Sequence, residues 1–102
     1  MDANCYVEQV QKIPTTGERQ NLTAVQLAVW GMGCPNCAKR VSNGLLALEG
    51  VLSAEVDHTT GFAFVEYNNR LVSTPDLLQA VAQAGDNGRH KYIAMLLEEA
   101  SL

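Results

Sequence analysis

The chain has 102 residues, sized for one domain, and its 47% hydrophobic content suffices for a modest core without cross-links. A formal net charge of −4 argues against nucleic acid as the main partner, because phosphate binding wants a basic face. No apolar run is long enough to span a bilayer, and the polar start Met1-Asp2-Ala3-Asn4-Cys5-Tyr6 lacks the basic-then-apolar layout of a signal peptide. The expected location is therefore the cytosol, where thiols stay reduced, and an odd count of three cysteines fits poorly with a disulfide framework.

Residues 1–21 are mixed and polar and read as an N-terminal extension, with a short ordered piece expected around residues 5–10. From Leu22 to Trp30 the pattern alternates. Val25, Leu27 and Val29 fall on one side and Ala24, Gln26, Ala28 and Trp30 on the other, as in a half-buried strand. Gly31 and Gly33 break it. Pro35 then suits a first helical turn, and Ala38, Val41, Leu45 and Leu48 follow helical spacing, with Lys39, Arg40, Ser42 and Asn43 expected on the wet side and Gly50 as the stop.

Residues 51–56 read as a second strand with Val51, Ala54 and Val56 facing the core. After the turn Asp57-His58-Thr59-Thr60-Gly61, residues 62–67 alternate again, giving a hairpin. Thr74-Pro75-Asp76 reads as N-cap, first helical position and acidic first turn of a second helix carried by Leu77, Leu78, Val81 and Ala84 and ended by Gly85. Residues 90–97 are apolar enough for a last strand, although 95–100 suit a helix equally well. The order strand, helix, strand, strand, helix, strand predicts an α+β, ferredoxin-like fold: a four-stranded antiparallel sheet with two helices on one face. The expected boundaries are 1–21 extension, 22–98 domain and 99–102 tail. Alternating strand direction puts Cys34, His58 and residues 86–90 at one end.

Between the first strand and first helix lies Gly31-Met32-Gly33-Cys34-Pro35-Asn36-Cys37. Two thiols at this spacing can close on one soft metal ion or on each other as a disulfide. This stretch resembles the Gly-Met-x-Cys-x-x-Cys signature of the heavy-metal-associated domain family of copper chaperones, metal-pump domains and mercuric-ion-binding proteins. Gly50-Val51, Thr60-Gly61, Val65-Glu66-Tyr67 and the helix from Pro75 to Gly85 resemble its later landmarks in order. The resemblance implies a non-enzymatic metal-binding protein with Cys34 and Cys37 as metal ligands, Met32 as a buried support beneath the loop, and a metal-transporting ATPase domain or another recipient as partner. Three departures stand out: Gly33 replaces a common Thr or His, Pro35 sits between the cysteines, and Asp86 follows Gly85 where the family usually has an aromatic residue.

Soft sulfur selects ions such as Cu(I), Zn(II), Hg(II) or Cd(II) over Mg or Ca. Two sulfurs suit Cu(I) or Hg(II), whereas zinc normally wants four ligands. Cu(I), carried or buffered and passed on by ligand exchange, is the first expectation; a Zn(II), Hg(II) or Cd(II) regulatory or detoxification module is the second. A thiol-redox role ranks last, since neither Pro14 nor Pro75 resembles the proline loop of a thioredoxin fold. Cys5, His58, His90 and Asp86 are weaker ligand candidates, better read as tail or loop residues. Lys39, Arg40, Arg89 and Lys91 either ring the site or form an ordinary wet face. Trp30, Phe62 and Phe64 share the sheet side without helices, where the extension or a second copy of the chain, making a homodimer, is expected to cover them.

Overall fold

A computed structural model describes residues 8–10, 12–18, 22–85 and 91–101. They form β1 (Leu22–Trp30), α1 (Pro35–Leu46), β2 (Val51–Asp57), β3 (Phe62–Asn68), α2 (Thr74–Ala84) and β4 (Ile93–Ser101). The strands make one sheet in the order β2-β3-β1-β4, every neighbour antiparallel. This is the expected ferredoxin-like arrangement. The expectations at Cys5, Asp86, Arg89 and His90 lie outside the described residues.

The alternation of β1 and β3 decides which side is core. Val25, Leu27, Ala63, Val65 and Tyr67 face the helices and are buried, together with Val41, Leu45, Leu77 and Val81. In β2 a register shift between Val51 and Ser53 lets Val51, Ala54 and Val56 all face inward although their numbers differ in parity. At the far end of β4, the Tyr67 hydroxyl donates to Glu99 Oε2 (2.8 Å) and pairs with Thr74 Oγ1 (3.1 Å), fastening β4 to the start of α2.

Several boundaries differ from the sequence reading, each for a local reason. Helix α1 stops at Leu46, capped by Ala47, and Gly50 (φ +104°) serves the turn into β2 instead. The N-cap of α2 is Ser73, one residue earlier than expected. Its hydroxyl and backbone N–H both bind Asp76 Oδ2, at 2.9 and 3.0 Å, whereas Thr74 turns to Glu99. Residues 95–101 are strand rather than helix, because pairing with β1 overrides the helix preference of Leu, Glu and Ala. β4 thus continues through residues 99–101, read from sequence as tail.

The described part of the extension does not lie across the open sheet face. It runs along the α1–β2 flank, where Ser42 and Asn43 were expected to be wet. Asn43 Nδ2 donates to the Glu8 carbonyl (2.8 Å), Val10 N–H to Asn43 Oδ1 (2.9 Å), and Gln9 Nε2 to the Ser42 hydroxyl (3.3 Å), leaving Ser42 buried. Farther along, Lys12 Nζ donates to the carbonyls of Leu48 (3.0 Å) and Val51 (2.6 Å) and to Glu18 Oε2 (2.9 Å). Buried Glu18 accepts the Gly50 N–H (2.7 Å) and Thr15 N–H (2.9 Å). These bonds to Thr15, Gly50 and Lys12 outweigh its desolvation and hold its pKa down to about 2. The arm is thereby clasped to the α1–β2 turn.

Candidate metal centre

The site begins where β1 ends. Gly31 has φ +102°, and a Cβ there would overlap the Lys91 carbonyl oxygen; a Cβ at Gly85 would stand 2.7 Å from Tyr92 Cδ2. Two bare backbones thus let the start of β4 press against the metal-loop end of the domain. Met32 packs against the core beneath the loop but is only half-buried, where the resemblance implied a buried support. A Cβ at Gly33 would meet nothing within 4 Å, so this position has room for the Thr or His seen elsewhere in the resemblance.

Cys34 is the N-cap of α1, in extended conformation (φ −158°, ψ 167°), with Pro35 opening the helix. This is the backbone that a residue before proline favours. Its carbonyl accepts the N–H of Cys37 (3.0 Å) and of Ala38 (3.4 Å), which folds the first turn back and brings the sulfurs to 3.4 Å. Both cysteines are free thiols, Cys34 half-exposed and Cys37 buried. No acidic residue stands in the first turn of α1, so its partial positive end is left to the sulfurs.

Burial pushes the Cys37 thiol up, but hydrogen bonds from the Tyr92 hydroxyl, the Cys34 thiol and the backbone at Gly33 and Cys34 outweigh it and leave its pKa below the ordinary value. The Tyr92 hydroxyl is driven the other way, first by burial and then by the Cys37 sulfur, with the Arg40 guanidinium opposing both. Tyr92 thus stands between the Cys37 sulfur and the guanidinium of Arg40, one helical turn along α1. Sequence reasoning missed this residue: the aromatic group absent after Gly85 is supplied by Tyr92, beyond the intervening residues 86–91. The signal available was Tyr92 as the first aromatic after Gly85.

His58 lies at the same end, as strand direction requires. It lines a groove of about 470 Å³ with Pro35, Lys39 and Asp57 between α1 and β2. Among the described residues, no cluster of three or more His, Cys, Asp or Glu is placed to hold a metal ion. No helix of the described residues is long and apolar enough to cross a membrane.

A ferredoxin-like sandwich with a paired-thiol loop at one tip defines a class of small soft-metal-binding domains. The heavy-metal-associated domain family matches residues 26–87, more than half of the chain, and the chain belongs to that family. It is 34% identical to the copper chaperone CopZ of Staphylococcus epidermidis over 63% of this chain and 94% of the chaperone. It is 33% identical to a copper-exporting P-type ATPase of Bacillus subtilis over 74% of this chain, which spans 9% of the pump's length. Among solved structures, the N-terminal domain of a potential copper-translocating P-type ATPase from Bacillus subtilis in the Cu(I)-loaded state superposes with a TM-score of 0.68 at 32% identity, covering 78% of this chain and 91% of that domain.

Proposed function

We propose that this chain binds Cu(I) through Cys34 and Cys37, carries or buffers it in the cytoplasm, and passes it on by ligand exchange. The observation that carries this reading is the pair of free thiols 3.4 Å apart at the head of α1, one half-exposed and one buried. Two metal–sulfur bonds as long as zinc's, about 2.3 Å each, would set the sulfurs of a linear ion about 4.6 Å apart. The sulfurs must therefore spread by about 1 Å on loading, which a half-exposed Cys34 beside two glycines can supply by turning outward.

The downward direction of the Cys37 shift favours negative charge on sulfur, the state that binds soft metal. The half-exposed Cys34 gives a recipient's thiol a path to the ion, so that transfer proceeds through a three-coordinate state. The copper pumps and chaperones this chain is similar to support a metal-transporting ATPase domain, or another thiol-bearing recipient, as the partner. In this reading the chain is a carrier rather than an enzyme: it exchanges metal–sulfur bonds and leaves its cargo otherwise unchanged.

Hg(II) is the second candidate, because it too accepts two sulfurs. Anaerobic Cu(I) titration against a competing chelator tests the proposal. The expected result is one tightly held ion per chain with two short Cu–S distances by X-ray absorption. Cys34→Ser plus Cys37→Ser should abolish it. Unchanged stoichiometry in that double variant, or four mixed ligands around a retained Zn(II), would overturn the Cu(I) reading.

A further inference from the structure

The side of the sheet facing away from the helices is organised in rows set by the strand register. Nearest the metal loop are Trp30 with Ile93, then Asp57, Phe62, Ala28 and Met95; farther away come Glu55, Phe64, Gln26 and Glu98, then Glu66 beside Ala24 and Ser53. Trp30, Ile93, Phe64 and Met95 are each about half exposed. Apart from Asp57 at the outer β2 edge, the half nearest the metal loop is thus apolar, and the other half carries three carboxylates around a depression of about 440 Å³ lined by Glu55, Phe64, Glu66 and Glu98. None of these rows contains a Lys, Arg or His.

Contiguous exposed aromatic and aliphatic side chains rimmed by charge mark an interaction face. The charge selects the occupant. A second copy of this chain would set carboxylates against carboxylates, or bury them against Trp30 and Phe62, and either arrangement is unfavourable. The described part of the chain's own arm, residues 8–10 and 12–18, is committed to the α1–β2 flank, held there by Lys12, Glu18 and Asn43. We infer that this face docks an extended polypeptide segment of another protein that carries apolar side chains at one end and Lys or Arg at the other. Such a segment would lie along the strands with its basic end over Glu55, Glu66 and Glu98. The inference does not depend on the metal reading, since no cysteine contributes to the face.

Binding of a short fluorescein-labelled peptide, aromatic in one half and Arg-rich in the other, to the full chain tests it, with nuclear magnetic resonance shifts locating the contact. The expected shifts fall on Trp30, Phe64 and Glu98, and binding weakens as salt rises. Combined Glu55→Gln, Glu66→Gln and Glu98→Gln should weaken it about tenfold, and Phe64→Ser, at an exposed position, by a similar factor. Equal binding of a peptide with Glu in place of Arg would overturn the proposal, as would shifts confined to other surfaces. So would a dimer in sedimentation analysis that dissociates on Trp30→Ser, which would assign the face to a second copy.

Discussion

Tyr92 is the residue at which sequence and site part company. Its hydroxyl serves the Cys37 sulfur from a position separated from Gly85 by residues 86–91, so a motif that looks for an aromatic directly after the glycine passes over it. The cysteines themselves were legible, because their spacing and the proline between them express a local geometry. A contact between the start of β4 and the head of α1 is not local, and no periodicity carries it. Tyr92→Phe keeps the ring and removes the hydrogen bond that lowers the Cys37 pKa. The expected outcome is a higher thiol pKa and severalfold slower alkylation of Cys37 near neutral pH, with circular dichroism unchanged. Gly31→Ala meets both a positive φ and the Lys91 carbonyl oxygen. It should destabilise the fold by at least about 1–2 kcal/mol in urea unfolding and loosen the Tyr92 contact.

Among the elements, β1, β3 and both helices could be read from the sequence because their burial follows one clean period. Val25, Leu27 and Val29 against Trp30 set the sheet's two sides before any coordinates. β2 and β4 were harder. A register shift breaks the parity of β2, and β4 joins an edge whose pull exceeds its own helix preference. The arm was illegible for a different reason: a lysine and a glutamate in a polar stretch look like solvated charges until Leu48, Gly50 and Val51 present their backbone groups to them. Glu18→Ala leaves Lys12 and the Gly50 N–H without their buried anion and should lower stability by about 1–3 kcal/mol in urea unfolding. The sign of the pH dependence is fixed by the depressed pKa. Glu18 contributes fully above its unfolded value of 4.5, and that contribution is lost as pH falls through about 2. Between those values the stability gap between the parent chain and Glu18→Gln should narrow as pH is lowered.

At the scale of the whole molecule, two glycines, a proline and a tyrosine place the sulfur pair at one tip, while the packed layer beneath keeps that tip in shape. Leu45, fully buried in α1, is part of that layer. Leu45→Ala should cost about 2–5 kcal/mol by thermal or urea unfolding. Under conditions where the variant is folded, the Cu(I) stoichiometry proposed for the parent should be unchanged, since Cys34 and Cys37 are untouched.

The clasp of Lys12 and Glu18 lies wholly outside residues 26–87, the stretch that defines the family. Beginning the protein at residue 22 would keep all six strands and helices and excise a counter-charge on which the α1–β2 turn relies. The trimmed polypeptide would keep the cysteine pair and its scaffold and lose that support. Faster amide exchange at Gly50 in such a fragment than in the intact protein would register that missing support.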